Sequence, residues 1–128
     1  MSARPPEHLH LEIRTPATPD QTNAGGDIFG GWLMAQADIA GSIPAIRQAR
    51  GRVATVAVNR FVFLKPVLVG DIVNVYTDAP VVGRTSMTFA IEIWVERNLR
   101  DPVFLKVAEA EIVYVALDEK GRPRAVRG

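Results

Sequence analysis

Residues 28–49 read IFGGWLMAQADIAGSIPAIRQA, and their apolar side chains recur at the spacing of an α-helix. Apolar residues lie on nearly all sides of this predicted helix, which favours a mostly enclosed position. Pro44 has no N–H to donate, so we expect a kink or break near Ile43, and Gly51 is the expected C-terminal stop. A helix this apolar needs a sheet around it.

Strand patterns lie on both sides of the helix. A short alternating strand is predicted over residues 9–14, before a loop rich in Pro, Asp, Asn and Gly. Four strands are predicted after the helix, over residues 53–65, 72–77, 86–96 and 103–117. The last one shifts its apolar face between Val107 and Ile112, which predicts a β-bulge there. The short connections indicate hairpins, so we predict an α+β fold in which a curved antiparallel sheet wraps around one long central helix.

Composition limits the classes of protein to consider. The chain has 128 residues and is expected to form a single domain, with residues 1–8 and 122–128 as loose tails. The absence of cysteine excludes disulfides and thiolate metal sites and fits a cytoplasmic location. With 15 basic and 14 acidic residues, the chain lacks the basic excess of a nucleic-acid binder. No apolar stretch is long enough to span a membrane, and residues 1–8 do not form a signal peptide.

One segment carries a more specific signal. Residues 20–38, DQTNAGGDIFGGWLMAQAD, resemble the signature of the YciA-type acyl-CoA thioesterases, which have the hot-dog fold. Two further stretches resemble the same family. One is 53–58 VATVAV, followed by 63–67 FLKPV and 69–71 VGD, and the other is 84–86 RTS. The resemblance covers most of residues 9–127 in the family's order. It implies a hot-dog thioesterase that acts on acyl-CoA. We expect a homo-oligomer that is at least a dimer, and the resemblance implies a trimer of dimers.

Asp38 is the first candidate catalytic residue, because it lies in an apolar helix between Ala37 and Ile39. A buried carboxylate without partners is costly, so an acid at this position indicates a partner or a chemical role. It can also belong to a narrow solvated stripe, or pair structurally across a dimer contact. The resemblance places the thioesterase's acid here. Asp38 would act as general base towards water, and direct nucleophilic attack stays open as an alternative.

The polarising N–H groups are assigned to the turn where the helix starts. Gly30 and Gly31 lie there, and the absence of a Cβ lets a thioester carbonyl approach the free backbone N–H groups. We assign the oxyanion contact to Gly31 and a substrate contact to Gly30. The alternative is that both glycines only allow close packing of the helix on the sheet.

Asn23 and Thr55 complete the candidate catalytic set. A loop asparagine is ordinarily a turn former, but the resemblance implies that Asn23 is catalytic and lies across a subunit boundary from the acid. Thr55 is equally a β-strand former or a hydroxyl that bonds Asp38 or water. From Gly30 to Asp38 a helix rises about 12 Å, so one subunit's helix start is far from its own acid. Antiparallel packing of two such helices would bring them together.

The acyl-CoA substrate needs an apolar slot and contacts for its phosphates. The candidate slot residues are Phe29, Trp32, Phe61 and Met34, although most aromatic residues in so small a domain are core. The best polar candidates open the alternating strand: Arg84, Thr85 and Ser86. Weaker cationic candidates, each more simply a solvated surface residue, are Lys65, Arg97, Arg122 and Arg124.

Two other functions compete with the thioesterase. A non-catalytic acyl-CoA binding or sensing protein would keep the pocket and lose the acid, whereas Asp38 and Asn23 are both present. A hot-dog dehydratase would use a histidine with its acid, but the only histidines, His8 and His10, lie near the N-terminus. The sequence offers no ligand cluster for a metal, and we expect no cofactor beyond the coenzyme A that is part of the substrate.

Overall fold

The computed structural model describes residues 3–127, and these form one antiparallel sheet packed against one long helix. The elements are β1 (His10–Pro16), α1 (Gly30–Ala49), β2 (Val53–Phe63), β3 (Ile72–Thr77), β4 (Val81–Val82), β5 (Ser86–Arg97) and β6 (Val103–Ala116), with a 3-10 turn at Pro19–Gln21. The strand order is β1-β3-β5-β6-β2, with β4 beside β5. The sheet is open, and β1 and β2 are its edges. This architecture confirms the predicted α+β hot-dog fold.

The inner face of the sheet follows the predicted alternation. Every second residue of β5 faces the helix and is at most 1% exposed: Met87, Phe89, Ile91, Ile93 and Val95. Where Ile93 pairs with Ala108 but Trp94 pairs with Lys106, Val107 is left over as a bulge in β6. Val107 and Ala108 are both buried, so the apolar face shifts at the N-terminal limit of the predicted interval.

The helix differs from the prediction at Pro44 and at its C-terminus. It continues without a break from Gly30 to Ala49, because proline removes only one intrahelical hydrogen bond and buried alanines on both sides hold the segment on the sheet. Arg50, rather than Gly51, takes the left-handed conformation that ends the helix, with φ 56°. Among the described residues, no helix is long and apolar enough to cross a bilayer.

The C-terminal segment is not the loose tail that its composition suggested. Val126 is 4% exposed and belongs to the core. The Arg124 guanidinium donates hydrogen bonds to the carbonyl oxygen of Ala49 (2.7 Å) and to that of Leu117 (3.0 Å). Arg124 therefore satisfies a carbonyl at the helix C-terminus, and this contact fixes the segment that follows β6.

One side of the helix is left uncovered by the sheet. Its buried face is mostly small, with Ala37, Ala40 and Ala45 each 0% exposed. Its large exposed apolar side chains lie elsewhere: Met34 (39%), Ile39 (52%) and Ile46 (48%). Edge strand β2 adds Val56 (56%) and Val58 (43%). The helix expected to be mostly enclosed is thus only partly enclosed within a single chain.

Candidate active site

Asp38 is half-buried on α1 and is held from strand β2. Its Oδ1 accepts a hydrogen bond of 2.6 Å from the Thr55 hydroxyl. Thr55 lies at a bulge in β2, where Val56 has no register partner on β6. Within residues 3–127, Oδ2 of Asp38 accepts no hydrogen bond, so one carboxylate oxygen is fixed and the other is available.

A second contact holds Asp38 through its main chain. The Tyr114 hydroxyl donates a hydrogen bond of 2.6 Å to the carbonyl oxygen of Asp38. Tyr114 is 0% exposed, and its register partner on β2 is Thr55. This contact could not be predicted from the sequence, because a tyrosine on the apolar face of a strand is ordinarily a core residue. We call Asp38, Thr55 and Tyr114 the carboxylate region.

Asn23 organises the loop before the helix. Its Oδ1 accepts hydrogen bonds from the backbone N–H of Gly25 (2.9 Å) and of Asp27 (3.2 Å). Its own N–H donates to the Asp27 carbonyl oxygen at 2.7 Å. The turn-forming role expected of a loop asparagine is therefore present. In the described part of the chain the Nδ2 amide makes no hydrogen bond, which leaves a donor group free.

The helix start offers free backbone donors beside Asn23. The residue before the helix, Phe29, makes no side-chain cap. No hydrogen bond among residues 3–127 uses the N–H groups of Gly30 and Gly31. A Cβ on Gly31 would meet nothing within 4 Å, whereas one on Gly30 would meet the Phe63 ring at 3.0 Å. Gly30 therefore has the packing role of the alternative interpretation, and Gly31 faces open space. We call Asn23, Gly30 and Gly31 the amide region.

A cleft of about 320 Å³ adjoins the amide region. It is lined by Asn23, Asp27, Ile28, Gly30, Leu33 and residues 63–67. Neither Asp38 nor Thr55 lines it. Sequence reasoning missed Phe63 and Asp27 as cleft residues, although both belong to the stretches that carry the family resemblance. Lys65 lines the cleft and supplies a positive charge there.

An ion pair between the buried Asp71 and the partly exposed Arg97 supports the wall of this cleft. Asp71 is 2% exposed, and its two carboxylate oxygens accept hydrogen bonds of 3.0 and 2.8 Å from Arg97. Arg97 also donates to the Pro66 carbonyl oxygen at 3.2 Å, and the Leu68 N–H donates to Asp71 at 2.9 Å. Hydrogen bonding to Asp71 raises the pKa of Arg97. Arg97 was a candidate phosphate contact, but its guanidinium is engaged in the hydrogen bonds to Asp71 and Pro66.

The remaining candidate residues are spread over two ends of the sheet. Phe29 is 52% exposed, while Trp32 and Phe61 are partly buried and pack on the core. Arg84 is exposed in the turn between β4 and β5. Thr55 pairs with Tyr114, and Tyr114 pairs with Met87, so the backbone of neighbouring Ser86 lies about 10 Å from that of Thr55. Met87 faces the helix, so the Ser86 side chain lies on the outer face of β5, opposite to the carboxylate region.

The charges around the site do not form a metal centre. Within residues 3–127, no group of three or more His, Cys, Asp or Glu side chains is arranged to hold a metal ion. The two regions supply the Asp38 carboxylate, the hydroxyl groups of Thr55 and Tyr114, the Asn23 amide and free backbone N–H donors, and the adjoining cleft adds Asp27 and Lys65. This set can activate water and stabilise an oxyanion.

Comparisons with known proteins agree on one family. A family profile described as the thioesterase superfamily matches residues 25–100. The chain is 49% identical over 118 residues to the acyl-CoA thioester hydrolase YciA of Escherichia coli K12, covering 91% of this chain and 89% of that protein. A crystal structure of a hexameric thioesterase from Yersinia pestis superposes with a TM-score of 0.87 at 48% identity, covering 94% of this chain and 96% of that one. A hexameric broad-specificity acyl-coenzyme A thioesterase superposes with a TM-score of 0.85 at 43% identity, over 96% and 84% of the two chains.

Proposed function

The chain belongs to the thioesterase superfamily, and we propose that it hydrolyses acyl-CoA to free coenzyme A and a carboxylic acid, with Asp38 activating the attacking water. The observation that carries this proposal is the state of Asp38. Thr55 fixes one oxygen of its carboxylate at 2.6 Å, and among residues 3–127 the other oxygen accepts no hydrogen bond, on a helix side that also exposes Met34 and Ile39. A carboxylate oriented in this way is a suitable general base.

We further propose that each site is shared between two subunits. Asn23 and Gly30 line one cleft, and Asp38 lies outside it. Gly30 and Asp38 are eight positions apart on the helix, a rise of about 12 Å, which is too far for both to contact one thioester group within a chain. A two-fold axis that packs the helices antiparallel would bring the amide region of one subunit to the carboxylate region of the other.

The exposed apolar residues support this arrangement. The face formed by Met34, Ile39 and Ile46 continues onto edge strand β2 at Val56 and Val58. An edge strand leaves a row of backbone groups unpaired, and pairing β2 with its symmetry copy would satisfy them.

The register of such pairing would also assemble the site. β2 covers Val53–Phe63, so complete antiparallel overlap of two copies centres on Val58. Thr55 of one subunit would then face Phe61 of the partner subunit. The cleft residues 63–67 come just after Phe61 in the chain, so those of the partner subunit would lie next to Asp38. The relatives described as hexameric support three such dimers in this protein as well.

The reaction follows from these positions. Asp38 takes a proton as the water oxygen bonds to the thioester carbonyl carbon. The N–H of Gly31, with the Nδ2 amide of Asn23 beside it, stabilises the oxyanion that develops on the carbonyl oxygen. The C–S bond then breaks, and the proton held by Asp38 passes to the departing CoA sulfur. This route needs no metal, because the carboxylate activates the water directly.

The substrate extends from the acid in two directions. Phe29 and Phe63, both exposed at the amide region, offer apolar surface for the chain beside the thioester. The backbone of Ser86 lies about 10 Å from that of Thr55, and we propose that Arg84, Thr85 and Ser86 offer donors for phosphate groups. The cytoplasmic location expected from the sequence stays a prediction.

Free-thiol release from a series of acyl-CoA esters tests the proposal. We expect the wild-type protein to release thiol and Asp38→Asn to be slower by about 10³-fold, because the amide cannot accept the proton. Asp101→Asn is the matched control, since Asp101 is exposed in the β5–β6 turn. Near-wild-type turnover by folded Asp38→Asn would show that Asp38 is not the base. Acyl-CoA binding without any thiol release by the wild type would favour the non-catalytic binding protein.

A further inference from the structure

Tyr114 lies behind the carboxylate and has no part in the reaction as described so far. Its side chain is 0% exposed, and its hydroxyl donates to the carbonyl oxygen of Asp38 at 2.6 Å. A carbonyl oxygen has two acceptor positions, so this bond can add to the one made within the helix. The residue that carries the proposed base is thereby tied to β6 by its main chain.

Gly41 provides the space for this contact. A Cβ on Gly41 would lie 2.3 Å from the Tyr114 hydroxyl and 2.9 Å from two ring carbons. The hydroxyl therefore occupies the volume that any other side chain would fill on the helix surface. Glycine inside a helix is destabilising relative to alanine, and the close approach of Tyr114 gives a physical reason for this glycine.

The two residues that hold Asp38 are register partners on neighbouring strands. Thr55 on β2 pairs with Tyr114 on β6, and each makes a hydrogen bond of 2.6 Å to Asp38. Thr55 holds the carboxylate and Tyr114 holds the backbone. A shift of the helix along its axis would therefore strain both hydrogen bonds.

We propose that Tyr114 is a positioning residue, which sets the height of Asp38 on the sheet so that Thr55 can orient its carboxylate towards the thioester. This inference rests on the proposed role of Asp38 as base. Burial, followed by the nearby charge of Asp38, raises the pKa of the Tyr114 hydroxyl above its ordinary value. The hydroxyl therefore stays a neutral donor across the pH range in which thioesterases are assayed.

The test is Tyr114→Phe, which removes only the hydroxyl and keeps the edge-to-face contact with Phe89 at a centroid distance of 5.9 Å. We expect kcat for acyl-CoA hydrolysis to fall about tenfold with KM within twofold of wild type, because the acid is displaced while the substrate contacts remain. The chain has two tyrosines, so Tyr76→Phe on the outer face of β3 is the matched control, with kcat and KM unchanged.

A double-mutant cycle separates positioning from general stabilisation. If both residues act through Asp38, the kcat losses of Tyr114→Phe and Thr55→Val are not multiplicative, whereas two independent structural effects multiply. Gly41→Ala supplies a second lesion at the same contact, since the added methyl group must displace the hydroxyl. It is expected to reproduce the fall in kcat whether or not Tyr114→Phe folds.

The outcomes distinguish this inference from the proposed function. A wild-type kcat in folded Tyr114→Phe or Gly41→Ala, or losses that multiply with Thr55→Val, would overturn the positioning role while leaving Asp38 as the base. If the wild type releases no thiol, or Asp38→Asn is fully active in the same assay, the proposed function itself fails.

Discussion

The carboxylate region and the amide region lie on the same helix, but a single chain completes them to different extents. Asp38 is held by two hydrogen bonds of 2.6 Å from neighbouring strands. In the amide region, Asn23 makes hydrogen bonds to residues of its own loop, and Gly31 faces open space. The carboxylate region supplies a carboxylate that is already oriented. The amide region supplies hydrogen-bond donors that have no acceptor among residues 3–127. The difference indicates that association of two chains, rather than folding of one, assembles the site.

The most severe way to test this comparison is to prevent association. Ile39 is 52% exposed on the uncovered side of the helix, one residue from the acid. We expect Ile39→Asp to give monomers and to lower thiol release by about 10³-fold, because a carboxylate buried in an apolar contact without a partner is costly. Light scattering and the thiol assay on the same sample measure both effects.

Leu99→Asp is the matched control for this variant. Leu99 is also a large exposed apolar residue, at 62%, but it lies in the β5–β6 turn. It is expected to keep both assembly and activity. A stable, fully active Ile39→Asp monomer would mean that one chain completes the site alone.

Asn23 offers a test of which subunit supplies each half. Asn23→Asp keeps an acceptor for the N–H groups of Gly25 and Asp27 but loses the Nδ2 donor, so the loop should stay intact. We expect about a 10²-fold loss of kcat, as for removal of one oxyanion donor. Asn23→Ala removes both functions and should also destabilise the loop.

Mixing variants then sharpens the comparison. Asn23→Asp and Asp38→Asn subunits that exchange freely form mixed dimers with one intact site and one doubly altered site. At equal concentrations half of the dimers are mixed, so about a quarter of wild-type activity should return. Mass spectrometry verifies exchange. Full exchange with no recovery would place both residues in the same subunit's site.

Substitution of Thr55 tests the hydrogen bond that supports Asp38 within the carboxylate region, and the expected fall in kcat is smaller. Thr55→Val keeps the β-branched shape and removes the hydrogen bond to Asp38. A hydrogen bond to a charged group contributes about 1.5 kcal/mol, so kcat should fall about tenfold. Thr88→Val, on the outer face of β5, is the matched control. Unchanged kcat in Thr55→Val would reduce Thr55 to an ordinary strand residue.

The sequence predicted the architecture well because the fold depends on periodic patterns. The alternation of β5 and the apolar helix carry the sheet-around-helix arrangement, and the bulge at Val107 follows from a change of face that the sequence displays. Of the kink or break expected near Ile43, the break does not occur, because tertiary packing outweighs one lost hydrogen bond. The loose C-terminal tail was wrong because composition does not show that Arg124 bonds the helix end.

The site was less predictable than the fold. Asp38 could be singled out because an acid in an apolar helix is costly, and the resemblance directed attention to Asn23 and Gly31. The contacts of Tyr114 with Asp38 and of Phe63 with Gly30 depend on register and on close approach across the core. Neither residue type has an unusual pattern in its own segment, so only three-dimensional geometry reveals these contacts.

The smallest expected effect concerns the cleft wall beside the amide region. Asp71 lies 2% exposed, accepts two hydrogen bonds from Arg97 and one from the Leu68 N–H, and so holds the loop that carries Pro66 and Val67. Asp71→Asn replaces a charged acceptor by a neutral one and leaves Arg97 without its partner charge. We expect a loss of about 2 kcal/mol in the free energy of unfolding and about a threefold rise in KM.

The value of kcat should change little in Asp71→Asn, because Asp38 and its two supports lie on other elements. Chemical denaturation at fixed protein concentration and steady-state kinetics measure the two effects separately. Asp101→Asn again serves as the exposed control. A large fall in kcat at unchanged KM would mean that the Asp71–Arg97 ion pair acts on the carboxylate region. The two regions would then be coupled within one chain rather than joined across the dimer.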